Sequence, residues 1–350
     1  MRDEKKIEGR QDFLNLIDYI LENNHKKYSE FGKWNNPQIK TYLIESNVSS
    51  ETINNQENFC NFIIKKTRDK NFYRISSKNF RNAGFLETSN NRIWKFFSPV
   101  VSDISDRIVT ELVDNTIYLD RCWHTNQQLE KLELSYKFRG IGISYTDFFE
   151  KNKDERSGIS LKLWTKGALK KHEKEIYEFV ENKFARRSTR IQEIIDGKSI
   201  FLKEVFFNGK ITTTFAKSPE EIINFSTNLQ QNYIDILKKI ENERGVFGSP
   251  VELLFKEKLP IDKIVNYFKS GKNPFRLWLS PIEKKENFVR LFGVDLHTGE
   301  KIGLDIGEDF IWINIPKKTC GNAGLRIPTI LCSSFPYRVQ LKLGGEELIA

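Results

Sequence analysis

The stretch from Ile200 to Glu221 leaves this chain the least freedom. Two runs of β-branched and aromatic residues, Ile200–Phe207 and Lys210–Phe215, flank Asn208-Gly209. Asn-Gly takes positive φ at both central positions of a two-residue turn at little cost, so the segment predicts a tight antiparallel hairpin. Ser218-Pro219-Glu220-Glu221 follows directly. Ser218 and Glu221 form a capping box, and the fixed φ of Pro219 suits the first helical position. The helix so started extends to about Glu241, with Ile222, Phe225, Leu229, Tyr233, Ile236 and Ile240 along one face. Arg244-Gly245 through Ser249-Pro250 then reads as a boundary.

The remaining segments assemble around this centre. Asp12–Asn23 places Phe13, Leu16, Ile17, Ile20 and Leu21 at helical spacing. Gln38–Glu45 and Ser49–Thr67 are expected as two further helices, and Ser102–Ile117 and Thr165–Phe184 as two more. Ser102 or Ser105 is the expected cap of the first of these two. Leu132–Phe138 and Ile141–Tyr145 read as strands, and Lys151–Ser157 as a charged loop. After a short helix at Ile261–Phe268, the runs Phe275–Leu279, Phe288–Val294, Lys301–Ile306 and Phe310–Ile315 predict an antiparallel meander with turns at His297–Glu300 and Gly307–Asp309. The expected fold class is α+β: a helical, winged-helix-like domain over 1–99, a mixed α/β domain over 100–247 and a β-rich domain over 248–350.

Composition excludes some classes of molecule. The chain of 350 residues carries 27 Phe and an ordinary apolar fraction, which rules out wholesale disorder. It has no apolar run long enough to span a bilayer, and its charged first residues lack a signal core, so a cytoplasmic protein without a membrane partner is expected. Cys60, Cys122, Cys320 and Cys332 form no CxxC pair, and His25, His124, His172 and His297 are scattered. Buried thiols are therefore expected in place of a zinc site. The formal net charge of +9 favours a polyanion, and nucleic acid is the expected partner.

Two segments carry that expectation. In Phe72–Phe97, the basic, polar residues Ser76–Ala83 precede Gly84, and the short runs Phe85–Glu87 and Arg92–Phe96 flank the turn formers Thr88–Asn91. This is the layout of a recognition helix followed by a wing, supported by a helix at 49–67. Lys78, Asn79, Arg81, Asn82 and Arg92 are of the types that read base edges or hold phosphate. Further on, Lys183, Arg186, Arg187 and Arg190 cluster at the expected end of a helix, with Lys198 and Lys203 on the following hairpin. Cations there complement the helix dipole and suit phosphate contacts. Trp94, Trp123, Trp164, Trp278 and Trp312 lie among apolar residues, and core packing is expected for each.

Enzymatic signals are sparser. Asp196-Gly197-Lys198 with Glu193 is the nearest approach to a metal-dependent nuclease constellation, and Mg²⁺ is the ion such a site would take. Asp295, Asp305 and Asp309 are turn or meander acids. In a second pattern, Glu111-Leu112-Val113-Asp114-Asn115 lies on a helix, Gly140-Ile141-Gly142 follows a strand, and Gly158 opens the approach to the next helix. In order, these resemble the N, G1 and G2 boxes of GHKL-type ATPases. The resemblance implies a nucleotide-binding module in which Glu111 activates water, Asn115 serves magnesium and the glycines bound the nucleotide. Phe138 stands where that family carries its adenine-contacting Asp. The leading expectation is a duplex-DNA-binding protein of restriction or genome-defence type, with nuclease activity. The alternatives are the GHKL-like module and a scaffold whose basic face meets an acidic protein.

Overall fold

The computed structural model describes residues 7–31, 39–48, 58–59, 62–76, 82–150, 157–165, 169–247, 249–269, 274–316, 319–335 and 339–348. The fold is α+β and rich in strand, with seven helices among the described residues. Helix α1 (Arg10–Phe31) precedes β1 (Ile39–Ser46), β2 (Asn58–Phe59), β3 (Phe62–Lys66), β4 (Phe72–Ser76), β5 (Gly84–Glu87) and β6 (Ile93–Ser98). Next come α2 (Ser102–Asp114), β7 (Leu119–Arg121), α3 (Asn126–Ser135), β8 (Lys137–Thr146), β9 (Gly158–Trp164) and α4 (Lys171–Lys183). β10 (Arg186–Ile195), β11 (Lys198–Phe206), β12 (Lys210–Ala216) and α5 (Pro219–Phe247) follow. The last stretch holds β13 (Val251–Leu254), α6 (Ile261–Phe268), β14 (Leu277–Lys285), β15 (Phe288–Asp295), β16 (Lys301–Gly307), β17 (Phe310–Asn314), α7 (Ala323–Cys332), β18 (Gln340–Leu343) and β19 (Glu346–Glu347). Two compact units result. Met1–Cys122, Ser135–Phe138 and Arg190–Ile234 form the first; Trp123–Leu134, Arg139–Thr189 and Asp235–Ala350 form the second.

In the first unit β1 is the central strand. It pairs antiparallel with β6 over Lys40–Glu45, with β12 over Ile39–Tyr42 and with β7 over Ile44–Ser46. β12 and β7 thus share one edge of β1, and the Asn208-Gly209 turn fills the join between them. Leu43 N donates to Gly209 O at 2.9 Å, and Cys122 N donates to Leu43 O at 3.2 Å. Gly209 has φ +77°, and a Cβ there would lie 2.8 Å from Leu43 O and 2.9 Å from Cys122 O. Only glycine meets both demands.

The two faces of this sheet are covered differently. Phe13 of α1 sets its ring 4.8–5.5 Å from those of Phe72, Phe85 and Phe97. Ile108, Val109, Leu112 and Val113 of α2 join Tyr42, Ile44, Trp94 and Phe96 in a second apolar cluster. Charges buried in the central strands are satisfied locally, as burial requires. Lys40 Nζ donates to Val100 O, Tyr42 Oη donates to Asp106 at 2.6 Å, and Lys210 Nζ donates to both Asp106 oxygens at 2.8 Å. Lys95 and Arg10 both meet Glu87, at 3.0 and 2.6 Å. Burial alone would raise the Glu87 pKa, but Lys95 and then Arg10 hold it below the usual carboxylate range.

Several elements differ from the sequence reading. The helix expected at 38–45 is β1: all eight of its residues are buried, so it shows no in–out alternation, and Ile39, Tyr42 and Leu43 mimic helical spacing. The helix expected at 49–67 is strand at Asn58–Phe59 and Phe62–Lys66, with Phe62 and Ile64 inward and Ile63 and Lys65 outward. Of the expected recognition helix, Ser76 ends β4, residues 77–81 lie outside the described residues, and Gly84 opens β5. The wing hairpin does form, but as β5–β6 inside a meander that runs from β3 to β6 and on to β1. Among the described residues of 1–99 there is one helix, so this segment is mainly strand. Leu132–Ser135 belongs to α3, and the long helix expected from Thr165 is helical from Lys171. Val101, not Ser102 or Ser105, occupies the N-cap position of α2, and no side chain caps the helix.

The second unit contains the expected meander, extended to seven strands in the order β14-β15-β16-β17-β13-β18-β19. β8 and β9 form a hairpin pairing Gly140–Thr146 with Gly158–Trp164, and β8 lies beside β10. All ten residues of α7 are buried, Arg326 among them. Arg326 Nη2 meets Asp295 at 2.5 Å and its Nε donates to Phe275 O at 3.0 Å. A second buried arginine ties α4, α3 and β10 together. Arg186 donates to Glu133 and Glu181, to Tyr177 Oη at 2.7 Å and to Thr189 Oγ1 at 3.0 Å. Burial works against its charge, but Glu133, Tyr177 and Glu181 outweigh it and raise the Arg186 pKa.

Two stability tests follow from these contacts. Gly197 has φ +73° like Gly209, yet nothing lies within 4 Å of its Cβ position. Gly197→Ala should therefore cost only left-handed strain, about 1–2 kcal/mol. Gly209→Ala should cost about 1–3 kcal/mol more, from overpacking against β1. Urea denaturation of both variants measures the difference, and equal losses would refute the close-approach argument. Arg186→Ala leaves Glu133 and Glu181 facing a vacancy and should destabilise the protein by about 3–5 kcal/mol. A loss below about 1 kcal/mol would make Arg186 a surface charge.

Candidate nucleic-acid interface

Strand period separates the residues of the seven-stranded sheet into two sets. Leu277, Leu279, Val289, Leu291, Ile302, Leu304, Ile306, Ile311 and Ile313 are buried. The residues between them lie on the other face, where Gly303 and Asp305 of β16 are also buried and aromatic rings recur on the neighbouring strands. Trp278 on β14, Phe292 on β15 and Trp312 on β17 are 61%, 41% and 38% exposed. Cross-strand register places them on one face. Trp278 pairs with Val294, which pairs with Lys301. Ser280, Phe292, Gly303 and Asn314 form the next row, and Arg290, Asp305 and Trp312 the row after that.

The rings are held in place by their neighbours. Phe310 and Trp312 lie 4.6 Å apart between centroids, tilted by 34°. The Arg290 guanidinium sits 5.6 Å above the Phe288 ring and donates to Asp305 at 2.7 and 3.1 Å. Glycine at 303 leaves open the space between Phe292 and Asn314, each about 3.6–3.7 Å from where a Cβ would be. The result is one ring in each of three successive rows, with cations Arg290 and Lys301 among them and with acids Glu283 and Asp305 paired to Arg290. Such a surface can stack flat ligands and hold a charged backbone beside them.

Trp94 and Trp123 are buried as expected, whereas Trp164, Trp278 and Trp312 are exposed. On β9, Lys162 Nζ lies 5.6 Å from the Trp164 ring. The signal for Trp278 and Trp312 was present in the sequence. In Leu277-Trp278-Leu279 and Ile311-Trp312-Ile313, each aromatic stands between two aliphatics at strand period, and inward aliphatics force it outward.

The residues expected to hold nucleic acid are dispersed. Lys78, Asn79 and Arg81 lie outside the described residues. Asn82 is in the turn before β5, half-buried. Arg92 meets Glu45 at 3.2 Å and donates to Asn47 at 2.9 Å. The helix expected to carry the arginine cluster ends at Lys183, and Arg186, Arg187 and Arg190 are on strand β10. Arg186 and Arg190 are buried, and burial lowers the Arg187 pKa to about 9. Lys203 is also buried, its Nζ donating to Glu221 O at 2.5 Å between the rings of Phe201 and Phe225. Lys198 is exposed beside the β10–β11 turn.

The enzymatic candidates have local explanations. Asp196 and Gly197 take φ 50° and 73°, the geometry of a two-residue hairpin turn. Asp295 and Asp305 are paired with Arg326 and Arg290. Glu111 and Asn115 end α2, where Asn115 N and Nδ2 both donate to Glu111 O. Gly140 and Gly142 lie inside β8, paired with Trp164 and Lys162 of β9, and Gly158 pairs with Thr146. A Cβ at Gly142 would fall 2.4 Å from Ser188 Oγ, so strand packing calls for glycine there. Cys122, Cys320 and Cys332 are buried thiols outside any disulfide, and burial lowers the His124 pKa to about 4. No helix among the described residues is long and apolar enough to cross a membrane.

The sequence has a relative in Methanocaldococcus jannaschii, named uncharacterized protein MJECL33. It is 24% identical over 379 aligned residues that cover 92% of this chain and 90% of the relative. No solved structure matches the fold. The family described as MJECL33-like protein matches residues 1–348, and the protein belongs to that family.

Proposed function

We propose that the protein binds nucleic acid and that single-stranded segments lie on the outward aromatic face of the seven-stranded sheet. The observation that carries this reading is the alignment of Trp278, Phe292 and Trp312, all exposed, on one face with Arg290 and Lys301. Soluble proteins seldom leave large rings in a row on an open sheet without a ligand for them. Bases stack on such rings whatever their identity, and unpaired strands offer the bases that a duplex hides. The net charge of +9 supports a polyanion partner. The duplex reading rested on Lys78, Asn79 and Arg81, with Arg186 and its neighbours as phosphate contacts. The buried, paired state of Arg186 moves the weight from duplex to single strand. Metal-dependent cleavage and a genome-defence setting remain proposals attached to the same partner.

Fluorescence anisotropy with labelled single-stranded and duplex oligonucleotides tests this. At about 50 mM salt, single strands should bind, and binding should weaken as salt rises. Trp278→Ala and Trp312→Ala should each weaken it by about 1–3 kcal/mol while leaving the urea midpoint almost unchanged. Lys198→Ala should have little effect. Duplex binding that ignores both tryptophans, or no binding at all, would defeat the proposal. Capture of a protein after nuclease treatment would instead make the face a docking surface for an acidic partner.

A further inference from the structure

A strand that ends a sheet offers its outer edge to another chain, and three of the four such strands here are protected against it. β2 and β19 are two residues long, and β19 is Glu346-Glu347. β14 carries Pro281, Lys284 and Lys285, and its pairing with β15 slips between Pro281 and Glu283. β9 has neither shortness, proline nor slip. It runs seven residues, Gly158–Trp164, in unbroken register with β8, and Lys162 is its one charge. Among the described residues no strand pairs with its outer edge, and six of its seven residues are exposed.

Thr165 N donates to Arg139 O at 3.0 Å, and Asp147 N donates to Ser157 O at 3.1 Å. With the register unbroken between them, the odd-numbered residues of β9 exchange main-chain hydrogen bonds with β8. The N–H and C=O of the even positions, Gly158 and Ser160 among them, point away from it. On one face Leu163, Leu161 and Ile159 continue the row of Ile141, Ile143 and Tyr145. Ile141 and Ile143 are buried, whereas Leu161 and Ile159 are 39% and 47% exposed. The apolar face of this hairpin thus runs out from under its cover at β9. Burying it calls for one more strand with the same apolar row, and β9 itself is such a strand. About a two-fold axis through Leu161, antiparallel pairing sets Leu161 against Leu161, Ile159 against Leu163, Ser160 against Lys162 and Gly158 against Trp164. All seven residues are then paired and no charge meets its like. Moving the axis to Lys162 sets two ammonium groups opposite each other. Moving it to Ser160 leaves Leu163 and Trp164 beyond the partner's strand.

We infer that two copies of this chain pair through β9, antiparallel and centred on Leu161, so that the sheet continues from one protomer into its partner. Such an interface is isologous and closes at two copies. It involves no residue of the aromatic face. Light scattering of the full chain during size exclusion, after nuclease treatment and over about a hundredfold range of loading, tests it. A single strand pair is a small interface, so the measured mass should rise across micromolar concentrations from that of one chain toward twice that value, and go no further. Leu161→Lys sets like charges against each other and should weaken association about tenfold or more. Ser160→Pro removes an N–H directed away from β8, where an edge strand tolerates proline. It should keep the protein monomeric and leave the Tm of the dilute protein unchanged. Mild oxidation tests the register. Leu161→Cys meets itself across a non-hydrogen-bonded pair, within disulfide reach, and should cross-link two chains. Ser160→Cys faces Lys162 and lies too far from its own copy to do so. The unmutated chain, whose Cys122, Cys320 and Cys332 are buried, is the control. A monomer at every concentration, mass growing past two copies, association insensitive to both Leu161→Lys and Ser160→Pro, or equal cross-linking by the two cysteine variants would each overturn the assignment.

Discussion

At Leu43 the backbone of β1 changes partner, and much of the first unit depends on how that change is made. β12 serves one edge as far as Tyr42, β7 serves it from Ile44, and Gly209 O and Cys122 N satisfy Leu43 between them. Without that pair of hydrogen bonds a buried central strand would hold an unpaired amide and carbonyl, a cost that folding avoids. The turn that makes the hairpin is therefore also the turn that closes the sheet around β1. Its glycine answers two constraints at once, positive φ and contact with backbone oxygens under 3 Å from the missing Cβ.

Burying β1 on both faces has an electrostatic consequence. Lys40, Tyr42 and Glu45 are carried inward by the strand, as are Lys95 on β6 and Glu87 on β5. Each meets a partner contributed by another element: Val100 for Lys40, Asp106 for Tyr42, Arg92 for Glu45, and Glu87 for Lys95. The second unit applies the same solution to Arg186 and Arg326. A high count of basic residues in the sequence thus overstates the basic surface. On the aromatic face the charge left over for a polyanion sits on Lys301, and rings contribute where cations are already paired.

The β-rich end shows the complementary behaviour. Strands β14, β15 and β17 alternate over part or all of their length, because one face packs inward and the other meets solvent. Alternation then decides which aromatics are available, and it gives Trp278 and Trp312 to solvent although both have apolar sequence neighbours. Strongly apolar flanks at positions i−1 and i+1 mark a strand's inner face, so they argue against burial of the ring between them.

What the sequence by itself determined were the features set by neighbours in the chain. The Asn208-Gly209 hairpin, the helix starting at Pro219, the helices at 10–31, 102–114 and 261–268, and the strands at 288–295, 301–307 and 310–314 follow from turn chemistry, capping and local period. Tertiary structure alone decided the rest. Whether Ile39–Ser46 is helix or strand turned on β6, β7 and β12, which come from distant parts of the chain and bury both of its faces. Whether Arg186 meets phosphate or carboxylate turned on Glu133, 53 residues away, and on Glu181. Local pattern records what a residue prefers. Partners brought in from far along the chain decide whether that preference is met, because pairing and desolvation energies depend on what lies next to the residue in space.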